Sequence, residues 1–158
     1  MESVQRNEYD VMVVGQGLAG SVLVNQLYFA GKSVAVFENN HINTASWAAI
    51  GIHNPLIIKR LRKSWRAKEF IDYCISFYDK CETQLNVKLR QDLEIHRVFA
   101  NIEEEKTWQE KSQLLAWSDF IENGSLSILN QKKNTGKVKM SGWLNVPKLI
   151  ERTKEKLL

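Results

Sequence analysis

Apolar and polar positions follow two alternating periods along this chain, and the changes of period mark its elements. Tyr9 to Val14 is a short apolar run, β-branched at Val11, Val13 and Val14, which reads as a strand ending at Gly15-Gln16-Gly17-Leu18-Ala19-Gly20. From there Leu18, Val22, Leu23, Leu27 and Ala30 recur at the spacing of a helix with one buried face, and Gly31 supplies its C-terminal stop. A second apolar run, Ser33 to Phe37, closes on Glu38. Beyond the polar loop Asn39 to Asn43, Thr44 and Ser46 are good N-caps, and the small residues after them predict a short helix before a turn at Asn54-Pro55. A long helix follows, with Ala67, Phe70, Ile71, Cys74, Phe77, Tyr78, Cys81 and Leu85 on one face and Glu69, Asp72, Asp79, Lys80 and Glu82 on the other.

The pattern changes after Asn86, which predicts a domain boundary near residues 86 to 91. Leu93, Ile95 and Phe99 then alternate with Glu94, His96 and Val98, the period of a half-buried strand. Asn101 is placed to cap a helix whose first turn holds Glu103, Glu104 and Glu105, where negative charge is favoured. That helix is expected to carry Trp108, Leu115 and Trp117 inward and to end before Asn123-Gly124. Leu126 to Leu129 and Lys137 to Met140 flank the polar loop Asn130 to Gly136 as a hairpin. Finally Asn145 caps a helix that tolerates Pro147 in its first turn and continues through Leu149, Ile150 and Thr153.

Composition narrows the class without naming it. The 158 residues are 44% hydrophobic and 25% charged, as in an ordinary globular protein. No apolar run approaches membrane-spanning length and no basic-then-apolar leader precedes the first strand, so a cytoplasmic protein is expected. Cys74 and Cys81 lie ~10 Å apart along one helix, too far for a disulfide, and read as small core residues. His96 has no partner at metal-ligand spacing and reads as exposed or hydrogen-bonded. The net charge of +4 comes largely from Lys59, Arg60, Arg62, Lys63, Arg66 and Lys68. This run is either a phosphate-binding surface or the solvated first turns of the long helix. Acidic residues soon follow and no second basic stripe with interleaved aromatics accompanies it, so the helix is preferred and nucleic acid is not expected as a partner.

The chemistry is concentrated at the glycine turn. A strand, Gly15-x-Gly17-x-x-Gly20, an amphipathic helix and a second strand closing on an acidic residue together make the dinucleotide-binding fingerprint. Gly15 permits the sharp turn, Gly17 lets a diphosphate approach the backbone, and Gly20 lets the helix pack close to the sheet. The helix N-terminus meets the anion with unpaired N–H groups and the positive end of its dipole. Glu38 is placed to accept from ribose hydroxyls, and its charge argues against a 2′-phosphate.

The fingerprint combined with Ala45-Ser46-Trp47-Ala48-Ala49-Ile50-Gly51-Ile52-His53-Asn54-Pro55 resembles the FAD-dependent oxidoreductases of the D-amino-acid oxidase and glycine oxidase family. Asn54-Pro55 through the basic run to Trp65, and Gly142-Trp143 leading into the last helix, extend the likeness over the whole chain. It departs at Asn39-Asn40, where members often carry a basic residue, and at Asn145-Val146-Pro147, where they have Asp-Pro. The resemblance implies an α/β fold with a Rossmann-like FAD-binding part at 1–88, the start of an α+β substrate domain at 89–141, and a return helix toward the FAD domain at 142–158. It implies FAD as cofactor, with Gly15, Gly17, Leu18, Ala19 and Gly20 at the diphosphate and Glu38, with Asn39 beside it, at the adenosine ribose. Ala45 and Ser46 would then lie near the diphosphate, and Ala49, Gly51 and Ile52 near the flavin.

The activity so implied is hydride transfer from the carbon beside an amine to flavin, on a small amine or amino-acid substrate. No acid/base pair, nucleophile triad or metal set is credible in the sequence, and none is required, because the flavin carries the chemistry. Members of the family run on further, so the chain is expected to be an N-terminal part that has no turnover alone. Two other readings stay open: an NAD-binding dehydrogenase domain, and a noncatalytic or tRNA-binding flavoprotein fragment. The sequence leaves the oligomeric state undetermined.

Overall fold

The β-branched runs on either side of the glycine turn become strands here, and two of the helices bury an apolar stripe, Ile71, Phe77, Cys81 and Leu85 on one and Val146, Leu149 and Ile150 on the other. In the computed structural model, which describes residues 8–39, 44–128 and 131–157, the order begins with Val11–Val14 (β1), Leu18–Phe29 (α1) and Val34–Phe37 (β2). There follow Ile52–His53 (β3), Leu56–Ile57 (β4), Arg62–Lys63 (β5), Ala67–Leu85 (α2), Arg90–Asp92 (β6) and Ile95–Val98 (β7). Ile102–Ser112 (α3), Ile121–Ile128 (β8), Gln131–Val138 (β9), Gly142–Leu144 (β10) and Val146–Leu157 (α4) complete an α/β chain with four small sheets and four α-helices among the described residues.

The chain divides into two units. The first holds the described residues up to Ile50, Cys81–Leu89 and Asn145 onward; the second holds Gly51–Lys80 and Arg90–Leu144. In the first unit β1 and β2 pair in parallel, Val11 opposite Val34 and Val14 opposite Phe37, with α1 as the crossover a parallel pair requires. Asp10 and Ser33 tie the strand starts together: the Ser33 N–H and hydroxyl both donate to the Asp10 carboxylate at 2.8 Å, and the Asp10 N–H donates back to Ser33 Oγ at 3.0 Å. Those bonds, with Lys32 nearby, hold the Asp10 carboxyl below its ordinary range.

Val13, Val24 and Val34 form the core of this unit, joined by Val11, Leu27, Tyr28 and Val36. The inward face of α1 is not the expected one. Ser21, Val24 and Asn25 are buried, whereas Leu23 is exposed. The reason is α4, which packs on α1 through a polar contact: Asn25 Nδ2 donates to Thr153 Oγ1 and to the Ser21 carbonyl, both at 2.8 Å. Small polar residues let the two helices approach, and the hydrogen bonds of Asn25 Nδ2 offset part of the penalty of burying it, while Asn25 Oδ1 is buried without a partner. Gly31, at φ +71°, ends α1 in the left-handed conformation expected of it.

The second unit contains two antiparallel three-stranded sheets, β3–β10–β6 and β7–β9–β8, and the β4–β5 hairpin. Its core gathers Leu56, Leu61, Ala67, Trp108, Phe120, Ile121 and Val138. α3 is capped as the sequence suggests, the Glu104 N–H donating to Asn101 Oδ1 at 2.8 Å, and it carries Trp108 inward, where Nε1 donates to the Glu122 carbonyl at 3.1 Å. His96 is hydrogen-bonded, Nδ1 lying 2.9 Å from Thr135 Oγ1. α4 is likewise capped by Asn145, whose Oδ1 accepts from the Lys148 N–H at 3.1 Å.

Several expectations fail for identifiable reasons. α2 begins at Ala67, so the basic run is not its first turns; residues 56–63 form a hairpin instead, with the tip turned by Leu61 at φ +42°. α3 stops at Ser112, and a 3₁₀ turn at Leu115–Trp117 leaves Leu115 90% exposed while Trp117 packs on the core. Asn123-Gly124 does not turn, because β8 runs through it and pairs with β9 from Ile121↔Val138 to Ile128↔Gln131, which also makes most of the expected loop 130–136 a strand. Residues 44–56 give one turn and then β3, not a helix. Cys74 is exposed on α2, unlike Cys81, which is fully buried and whose thiol burial pushes up to about 12.

Gly136 faces the Trp108 ring so closely that an added Cβ would sit 2.2 Å from it. Gly136→Ala is therefore expected to destabilise the fold by about 1–3 kcal/mol through overpacking. Urea unfolding followed by Trp fluorescence measures this, and an unchanged midpoint would show that the ring can move aside freely.

Candidate functional site

The site grows from the turn between β1 and α1. Gly15 has φ +90°, a conformation open to glycine, and its N–H donates to the Phe37 carbonyl at 2.8 Å, which binds the turn to the end of β2. At Gly20 an added Cβ would fall 2.0 Å from the Gly15 carbonyl oxygen, so the first turn of α1 lies directly on the loop that precedes it. The first intrahelical bond of α1 runs from the Ser21 N–H to the Gly17 carbonyl. Of the N–H groups before it, that of Leu18 is taken by Ser46 Oγ at 3.0 Å, while those of Ala19 and Gly20 have no partner among the described residues. Two open donors at a helix N-terminus are suited to an anion.

Glu38 follows β2 directly and faces the same turn. Its Oε2 accepts from the Gln16 N–H at 2.5 Å and its Oε1 from the Asn39 N–H at 2.7 Å. A carboxylate oxygen accepts more than one hydrogen bond, so Glu38 is chemically suited to hydroxyl donors as well as to backbone N–H groups. Val14, Gly15, Phe37, Glu38 and Asn39 line an open groove of about 430 Å³ at the carboxyl ends of β1 and β2, the edge at which open α/β sheets bind their ligands.

Gly15, Gly17, Leu18, Ala19, Gly20, Glu38, Asn39, Ala45, Ser46 and Ala49 all belong to the first unit; Gly51 and Ile52 belong to the second. Ser46 caps α1, not a helix of its own. An added Cβ at Gly17 would sit 2.9 Å from Ser46 Oγ, so Gly17 leaves the room that this hydroxyl occupies. Ala45 is exposed and Ala49 half-buried. Gly51 has φ +80° and an added Cβ there would lie 2.0 Å from the Leu144 carbonyl oxygen; its own carbonyl accepts from the Leu144 N–H at 3.0 Å. Contact with β10 thus accounts for glycine at position 51 without a ligand, while Ile52 is exposed on β3.

Gln16 went unnoticed in the sequence, where it fills a variable position of the glycine pattern. Its N–H anchors Glu38, and its side chain is buried with Nε2 lacking any partner. It also borders a second open groove, of about 450 Å³, with Tyr9, Val34–Glu38, Lys154 and Leu157. Nothing in its residue type signals this placement.

No protein-family model matches the chain. Among solved structures it is similar in fold to glycine oxidase from Geobacillus kaustophilus, with TM-score 0.69 and 15% identity over 94% of this chain and 44% of that one. Glycine oxidase from Bacillus cereus ATCC 14579 gives 0.64 and 18%, over 95% of this chain and 44% of that one. L-amino acid deaminase from Proteus vulgaris gives 0.64 and 15%, over 100% of this chain and 40% of that one. The chain thus spans between 40% and 44% of the length of these structures. Its fold is that of amino-acid oxidases and deaminases over the region compared. No helix among the described residues is long and apolar enough to cross a membrane.

Ser46→Ala removes the hydroxyl that caps α1 from a distance in sequence, and is expected to lower stability by about 0.5–2 kcal/mol, as loss of an N-cap does. Ser46→Thr keeps the acceptor and should retain most of it. Chemical denaturation of the two variants side by side measures the difference, and equal stability would assign the contact no energetic role.

Proposed function

We propose that this chain is part of an FAD-dependent amine or amino-acid oxidoreductase, and that its glycine turn holds the adenosine diphosphate half of the cofactor. The observation that carries the reading is the pair of open N–H groups at Ala19 and Gly20, in the same unit as a groove that ends on Glu38. The likeness to glycine oxidases and an L-amino acid deaminase supports the reaction class, and the resemblance of residues 45–55 supports flavin over a nicotinamide.

In this reading the residues present fit the group. Ala19 and Gly20 donate to a diphosphate oxygen, supported by the positive end of α1, and Ser46 stands beside them as a further hydroxyl. Glu38 accepts from the ribose hydroxyls, as an acidic residue closing the second strand of a dinucleotide-binding unit does, and Asn39 adjoins it. The resemblance of residues 45–55 further assigns Ala45 to the diphosphate and Ala49, Gly51 and Ile52 to the flavin. Bound flavin supplies the hydride acceptor for oxidation beside an amine; the protein supplies binding and orientation. The division into an FAD-binding part at 1–88, a substrate part at 89–141 and a return segment at 142–158 belongs to the same proposal.

Equilibrium dialysis of the purified chain against FAD, and separately against NAD, tests the reading. Retention of FAD in a one-to-one ratio with quenched flavin fluorescence is expected. Retention of NAD alone would make this a nicotinamide-binding domain, and retention of neither would remove the dinucleotide reading.

Glu38→Ala should weaken FAD binding by about 1.5–3 kcal/mol, the range for a hydrogen bond to a charged group. Its circular dichroism should remain that of the parent chain. Unchanged affinity in the folded variant would restrict Glu38 to holding the Gln16 N–H.

A further inference from the structure

The basic run is not used by the dinucleotide reading, and it is displayed on a hairpin where a helix start was expected. β4 and β5 pair with Leu56 opposite Lys63 and Ile57 opposite Arg62, and a 3₁₀ turn at Ile58–Arg60 joins them. Leu61 and Arg66 have φ of +42° and +48°, in the left-handed region that side chains other than glycine adopt only when surroundings impose it. Burial imposes it at Leu61, which packs with Leu56 and Ala67 and whose carbonyl accepts from Lys111 Nζ at 3.0 Å.

The six cations of the run divide into two groups. Lys63 donates to the Ala116 carbonyl at 3.0 Å and lies over the Trp117 and Phe120 rings, so it serves the fold. Arg66 pairs with Glu69, and Lys68 with Asp72 and Asp119. Lys59, Arg60 and Arg62 remain, all exposed and with no carboxylate at ion-pair distance among the described residues. Next in the chain stands Trp65, 75% exposed, with the Arg66 guanidinium carbon 5.1 Å from its ring centre and Phe70 edge-on at 5.5 Å.

We propose that the β4–β5 hairpin and the start of α2 bind a single-stranded polynucleotide, with Lys59, Arg60 and Arg62 on its phosphates and Trp65 stacked on a base. Unpaired cations beside an exposed ring braced by arginine are the two parts of a single-strand site. An anionic bilayer fits less well. Recruitment to one takes clusters of about four to eight basic residues, and here three are free while Glu69 and Asp72 lie exposed on the first turns of α2. This surface is independent of the flavin reading.

Anisotropy of a fluorescein-labelled RNA dodecamer titrated with the whole chain at several salt concentrations tests the proposal. Three phosphate contacts on a single strand predict that log K falls with log salt at a slope of about −2. The triple variant Lys59→Gln, Arg60→Gln, Arg62→Gln should abolish binding, and Trp65→Ala should weaken it about tenfold with the slope unchanged. Circular dichroism checks folding; should the triple variant not fold, Lys59→Gln alone is expected to reduce the slope by about 0.7. Absence of saturable binding at low salt, binding that survives loss of the three cations, or full affinity in Trp65→Ala would each overturn the proposal. So would capture by phosphatidylserine vesicles without RNA binding, which would make the hairpin a membrane contact.

Discussion

The contact of Gly20 with the carbonyl of Gly15 is the constraint on which the first unit rests. The helix lies directly on the turn, and any side chain at position 20 would lift it away. The Phe37 carbonyl and the Glu38 carboxylate then hold the loop from the strand side through the N–H groups of Gly15 and Gln16. The turn is therefore fixed before any ligand arrives, and its donors need no rearrangement to meet an anion, which is the economy of a preorganised site.

Much of the chain was legible where a glycine has a steric reason or a cap is a short polar side chain. The strands β1 and β2, the left-handed Gly31, the Asn101 and Asn145 caps and the inward Trp108 all follow from local chemistry acting within a few residues. What could not be read was set by partners distant in sequence. The face of α1 turns on Thr153, and the placement of Ser46 on the N–H of Leu18. A hydrophobic stripe counted along α1 could not foresee that a polar pair would take the inner side.

In the second unit the errors share one cause. Polar residues of β8 and β9 were read as loop because Asn, Gly and Lys disfavour strands, yet pairing across eight registered positions outweighs that preference. Similarly the basic residues before α2 suit a helix by propensity, but the buried Leu56 and Leu61 fix a hairpin there.

The bond between Asn25 and Thr153 joins residues 128 apart in sequence, and α1 and α4 pack around it. The covering of α1 therefore awaits α4, whereas most of the second unit is built from the continuous stretch Arg90–Leu144. Contacts so far apart close slowly because the loop between them must first be ordered. During synthesis the later-encoded unit thus has its strands available to pair while the glycine turn still lacks the helix that covers α1. The glycine turn and its strands emerge from the ribosome first, yet they wait for a helix encoded after the second unit, and meanwhile their edges are open to mispairing.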